Sequence, residues 1–236
     1  MKKLFEKTIF IAGFILPFVF LSCNSTNLNG TKCDFTRLNE ETEYLTLKVS
    51  YPNFRDYPDF SNKIRNNIEN DINKFKPEAE KQWNKINSLN TATASALPPY
   101  EYLLKSAVST SENIISVYTE TYKYAGGAHG ETSIKTYNYD KTLGKEVNIT
   151  EATGYSYKQL SDICRKQLYE KLISENKDEM DQGTVELLDE MIEEGTKALA
   201  GNFKNFSMCD NSVKIFFEQY KVAPYSYGSQ TVDIEL

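Results

Sequence analysis

The chain has 236 residues, 27 Lys and Arg against 33 Asp and Glu, and a formal net charge of −6. That balance excludes the positive field by which proteins hold nucleic acid or an anionic membrane face, and it suits a basic partner. One histidine and four cysteines, at spacings that match no zinc motif, leave no metal and no cofactor expected.

Residues 1–22 read as a lipoprotein signal peptide. Lys2, Lys3 and Lys7 make a positive start, and Thr8 to Leu21 is an apolar run of signal-peptide length. A spanning helix needs roughly 20 apolar residues, and Pro17 sits inside this shorter run. Phe20-Leu21-Ser22-Cys23 resembles the lipobox of bacterial lipoproteins, which implies cleavage before Cys23, lipidation of its thiol and attachment to a membrane. A plain secretion signal and an uncleaved anchor are the alternatives. Cleavage removes three Lys and one Glu, a charge of +2, so −6 becomes −8 in the mature chain. Residues 23–43 are then the lipidated cysteine and a polar tether. Asn24 stands where an inner-membrane retention aspartate would be, which points to the outer membrane of the cell envelope.

Tyr44 to Tyr51 alternates Leu45, Leu47 and Val49 with polar residues and predicts the first strand. Phe60, Ile64, Ile68, Ile72 and Phe75 recur at helical spacing, predicting a helix to about Ile86 that Pro77 should interrupt or restart. The small-residue and proline stretch from Asn87 to Pro99 reads as a loop or linker. Two antiparallel strands follow, Tyr100 to Thr110 and Asn113 to Lys123, about a turn at Ser111-Glu112. Ala125 to Gly130 must be a turn or loop, followed by strands over Thr132 to Tyr139 and Glu146 to Ile149. Helices are predicted over Tyr157 to Glu175 and Thr184 to Leu199, and strands near 205–209, 213–220 and 230–236. The order implies an α+β fold, a mostly antiparallel sheet with packed helices, in two small subdomains over 44–99 and 100–236. Cys164 and Cys209 are the favoured disulfide pair outside the cytoplasm, with Cys33 near the tether.

Two segments carry more than periodicity. The first is Tyr124-Ala-Gly-Gly-Ala-His129, followed by Tyr137-Asn-Tyr-Asp140 and Gly144-Lys145-Glu146. The second runs from Phe216 through Tyr220 to Pro224-Tyr225-Ser-Tyr227-Gly228. In this order they resemble the paired extracytoplasmic domains of the RsiV-like family. These domains are shared by anti-sigma-V factors and by the non-catalytic part of PdaC-type peptidoglycan deacetylases. The resemblance implies an extracytoplasmic module that binds lysozyme or cell-wall peptidoglycan. The chain shows no cytoplasmic sigma-binding segment, and one histidine cannot furnish a deacetylase metal site, so neither activity is carried over.

The candidate ligand-binding residues are Tyr124, Gly126, Gly127 and His129 in the first segment, with Pro224, Tyr225, Tyr227 and Gly228 in the second. His129 is the single histidine, the residue type whose unperturbed side chain changes charge near neutrality, and it reads either as a ligand contact or as a structural histidine closing the turn. Gly126 and Gly127 could cradle a phosphate, but no GxGxxG or P-loop pattern surrounds them, and they read as positions of positive φ or of close backbone approach. Pro224 to Gly228 reads either as an aromatic anchor for a protein or sugar or as a turn before the last strand. No catalytic residue is singled out. The expectation is a lipid-anchored envelope binding module without catalysis, and the alternative is a cell-wall hydrolase or other envelope enzyme.

Overall fold

A computed structural model describes residues 30–88, 98–209 and 211–236. The expected signal peptide, Cys23 and most of the linker before Pro98 lie outside the described residues. The chain order begins β1 (Cys33–Glu41), β2 (Leu45–Phe54), α1 (Pro58–Asn87), β3 (Tyr100–Thr110), β4 (Ile114–Tyr124), β5 (Glu131–Asp140) and β6 (Lys145–Glu146). These six strands form one sheet in the order β1-β2-β3-β4-β5-β6. All pairings are antiparallel except β2 with β3, which run parallel from Leu45 beside Tyr100 to Val49 beside Leu104. A parallel pair needs a long crossover, and α1 provides it.

Helix α1 forms because Phe60, Ile64, Ile68 and Ile72 make one buried seam at four-residue spacing, with Pro58 in the first turn, where its missing N–H is harmless. The seam packs on Leu45, Leu47, Val49, Tyr102, Leu104 and Ile115 of the sheet. Tyr102 donates to Asp71 at 2.8 Å and Lys123 donates to the same carboxylate at 2.7 Å, tying the helix to β3 and β4.

The second half comprises α2 (Ile149–Thr153), α3 (Tyr157–Leu172), α4 (Gln182–Thr196), β7 (Phe206–Cys209), β8 (Ser212–Phe217) and β9 (Gln230–Glu235). The three strands form an antiparallel sheet in the order β7-β8-β9. Its core joins Val213, Ile215 and Ile234 to Leu160, Leu168, Leu188 and Ile192 of the helices. The helices start where the sequence supplies caps: Asn148 and Glu151 form a reciprocal box at α2, and Ser156 and Gln159 do so at α3. The fold is α+β, as expected.

Strand β7 crosses the face of the large sheet opposite α1. Asn138 is 4% and Ser116 1% exposed, and they form the polar centre of this contact. Ser116 Oγ–H donates to Asn138 Oδ1 at 2.6 Å, Asn138 Nδ2–H donates to the Phe206 carbonyl at 2.8 Å, and Met208 N–H donates to Ser116 Oγ at 2.9 Å.

Four expectations need correction. Cys33 to Glu41 is an edge strand, not tether: Phe35 and Leu38 are three apart, so the segment lacks the strand alternation that would reveal it. The large sheet runs through the division expected at 99/100, because β2 and β3 pair side by side. Pro77 lies within an unbroken α1, whose apolar seam holds it against the sheet despite the lost helical hydrogen bond. Ile149 opens α2 in place of ending a strand.

Candidate functional site

The hairpin from β4 to β5 ends in Ala125–Gly130. Gly126 and Gly127 take φ of +89° and +98°, a left-handed pair that residues with a Cβ enter only with strain. Tyr124 Oη–H donates to the Gly127 carbonyl at 3.2 Å and ties the loop to its strand. At Gly130 a Cβ would come within 2.4 Å of the Tyr122 ring, so glycine here lets that ring lie against the backbone. Burial, then the nearby Glu101, raises the Tyr122 phenol, which is therefore neutral near pH 7.

His129 stands exposed at the end of this loop. Its Nδ1 lies 3.0 Å from the Gly130 carbonyl, which can only accept, so Nδ1 carries the proton. Neutral His129 then has Nε2 as its acceptor.

The second segment arrives from the other half of the fold. Pro224 starts a short 3-10 turn over Tyr225–Tyr227, and Gly228 ends it at φ +67°, with its N–H donating to the Tyr225 carbonyl at 3.0 Å. Tyr225 stacks on His129 with ring centroids 4.7 Å apart and planes at 28°. Tyr220 packs on Tyr225 at 5.6 Å. The result is a column of three rings, with Tyr220 60% and Tyr225 37% exposed. Tyr227 turns the other way and packs, half-buried, against the core of the second half. It does not join the column.

Of the candidate residues, then, His129 and Tyr225 meet directly. Tyr124, Gly126, Gly127, Pro224 and Gly228 shape the two loops. Tyr220 lies in the second motif but carries no signal of its own in the sequence. A tyrosine followed by Lys-Val-Ala gives no sign of a turn, and only the fold shows its place.

No disulfide joins Cys164 to Cys209, which corrects the expected pair. Cys164 lies on the core face of α3, where burial pushes its thiol up to about 12, while Cys209 is exposed at the end of β7. Helix α4 carries an acidic run, Glu186, Asp189, Glu190, Glu193 and Glu194, that is partly answered inside the fold: Arg165 pairs with Asp189 and Glu193 at 3.8 and 3.2 Å, and Lys197 pairs with Glu194. Among the described residues no group of three or more His, Cys, Asp or Glu is placed to hold a metal ion. Among them, too, no helix is long and apolar enough to cross a membrane.

Comparison with known proteins finds two family matches in succession along the chain. The family described as deacetylase PdaC matches residues 38–132, and the protein family of unknown function DUF3298 matches residues 152–236. The chain is thus similar to a PdaC domain over its first matched stretch and to a DUF3298 domain over its second. A curated relative, the peptidoglycan-N-acetylmuramic acid deacetylase PdaC of Bacillus subtilis (strain 168), is 26% identical over 194 residues, covering 79% of this chain. The chain spans 36% of that protein's length. A DUF3298 family structure from Bacteroides fragilis has a TM-score of 0.61 at 17% identity, over 87% of this chain and 90% of its own. Another from Pseudomonas aeruginosa PAO1 has a TM-score of 0.50 at 13% identity, over 86% and 91%. These two share the fold. On the PdaC–DUF3298 pair, His129 falls in the first match and Tyr225 in the second, so the ring column stands where the two domains meet.

Proposed function

We propose that the chain is a cell-envelope binding module, lipid-anchored through Cys23, that holds peptidoglycan at the junction of its PdaC and DUF3298 domains and performs no chemistry on it. The observation that carries this reading is the exposed stack of His129 on Tyr225. It is built by both domains, and its loops are shaped by glycines at positive φ. Aromatic rings held this way are common anchors in recognition surfaces, since they lose little freedom on binding. Peptidoglycan is the ligand class because the relative that matches 79% of this chain is named for acting on it. Burial raises the phenols of Tyr100 and Tyr122 beside the first loop, so both stay protonated near pH 7 and neither acts as a base.

A second reading, capture of a basic protein such as lysozyme, is favoured by the net charge of −6 and by Glu186 and Glu190 exposed on α4. The test is co-sedimentation of the soluble region from Asn24 onward with purified peptidoglycan, at low and moderate salt, with lysozyme binding measured in parallel. The proposal expects saturable, weakly salt-dependent retention on peptidoglycan and no release of soluble fragments. No retention overturns it, and salt-sensitive lysozyme binding in its place establishes the second reading.

A further inference from the structure

Tyr220 occupies a backbone conformation that tyrosine rarely takes. Lys221 N–H donates to the Glu218 carbonyl at 3.0 Å, closing a four-residue turn, and Tyr220 stands third in it at φ +65°. It is the one non-glycine residue at positive φ among those described. A turn with positive φ at only its third position is the type II pattern, which selects glycine or asparagine there. Holding a β-carbon in that conformation is strained, because it crowds the following carbonyl oxygen.

The turn is fixed on both sides. Glu218 Oε1 accepts the Ile134 N–H of β5 at 2.7 Å. On the far side Lys221 and Val222 lie so close to α4 that a Cβ on Gly195 would come within 2.2 Å of the Lys221 carbonyl. Val222 and Ala223 are 1% exposed, so the chain beyond the turn is anchored in the core. Strain of this kind persists only where the surroundings enforce it, and it gathers at functional positions. Here the enforced conformation does nothing for the core: it sets an aromatic ring 60% exposed at the end of the column, backed by Tyr225 and His129.

From this geometry we infer that Tyr220 is the ring on which a pyranose of the glycan strand stacks, an inference that rests on the peptidoglycan reading above. A sugar presents a C–H face to the electron-rich face of the ring and its hydroxyls to the rim. His129 Nε2 supplies an acceptor beside the column. Charges of both signs stand on the turn beside Tyr220, the exposed Lys221 and the Glu218 carboxylate that accepts from β5, so the ring's surroundings favour neither a cationic nor an anionic partner.

The experiment measures retention on purified peptidoglycan and affinity for a soluble oligomer of N-acetylglucosamine, for the wild-type soluble region, Tyr220→Gly and Tyr220→Phe. Glycine relieves the left-handed conformation, so Tyr220→Gly should melt at or above the wild-type temperature while binding about tenfold or more weakly. Tyr220→Phe keeps the ring face and should bind within about threefold of wild type. Wild-type binding with Tyr220→Gly unimpaired overturns the assignment of Tyr220 and leaves the peptidoglycan reading standing. Absence of wild-type binding overturns both. If Tyr220→Gly loses only binding to a basic protein such as lysozyme, the ring's partner is a protein and the sugar assignment is wrong.

Discussion

Asn138 gives the sharpest test of how the two halves are joined. Truncation to alanine removes the acceptor of the Ser116 hydroxyl and the donor to the Phe206 carbonyl, bonds of 2.6 and 2.8 Å. Both orphaned groups are deep in the contact between β7 and the large sheet. Each buried polar group left without a partner costs about 1–3 kcal/mol. Partial relaxation of β7 lowers the sum, so Asn138→Ala should destabilise by about 2–4 kcal/mol. Asn138→Asp keeps the acceptor but sets a carboxylate against a carbonyl, and should be at least as damaging near pH 7. Urea unfolding of the soluble region, followed by circular dichroism, measures the loss. Asn70→Ala on the exposed face of α1 is the control, expected within about 0.5 kcal/mol of wild type. Ser116→Ala and the double variant complete a cycle, in which the second truncation should cost clearly less than it does alone. If Asn138→Ala unfolds within about 0.5 kcal/mol of wild type, or the two losses simply add, apolar contact alone docks β7 and the reasoning fails.

Gly195→Ala should destabilise by about 1–3 kcal/mol although alanine favours helices, because the new Cβ would meet backbone that cannot move aside; a stabilised variant in thermal melts would show that the turn at Lys221 yields. Cys164 should resist alkylation at mildly alkaline pH in the native protein and react fully in denaturant, as its thiol is pushed up to about 12; a peptide cross-linked to Cys209 in mass spectrometry would contradict this. Glu151 and Asp181 are held below their ordinary values, Glu151 by hydrogen bonding to Lys145 and Asp181 by the Thr184 N–H at the start of α4. Their contribution is present above the ordinary values of 4.5 and 3.8 and is lost as pH falls through the lowered ones. Acid unfolding should therefore set in at higher pH for wild type than for Asp181→Asn when each is compared with its own stability at pH 7, and identical acid limbs would refute the capping account.

The parts of this fold that show in its sequence are those whose contacts are local. The four-residue seam of α1 and the alternation along β2 each bury one face, so period and burial coincide. Strand β1 hides because an edge strand with polar residues on both faces has no period to show. The parallel pairing of β2 with β3 joins segments on either side of a long helix, and nothing in either strand names its partner. Helix α2 was within reach, since Asn148 and Glu151 stand at capping-box spacing, but five residues are too few for helical periodicity to register. At the site, the glycines of the first loop announced their positive φ, while Tyr220 concealed its own. A left-handed tyrosine can be recognised only from the contacts that enforce it. His129 and Tyr225 were separate candidates in sequence, and only the packing of the second half on the first brings them into one stack.

The single histidine makes the central claim directly measurable. In wild-type protein without a histidine tag, the imidazole resonances report His129 alone. Titration with soluble peptidoglycan fragments, followed by heteronuclear NMR, should shift them saturably, and Tyr225→Ala should abolish the shift while leaving the dispersed spectrum of a folded protein. Imidazole resonances that stay fixed while the fragments bind elsewhere, or fragments that do not bind at all, would contradict the claim that this stack is the ligand site.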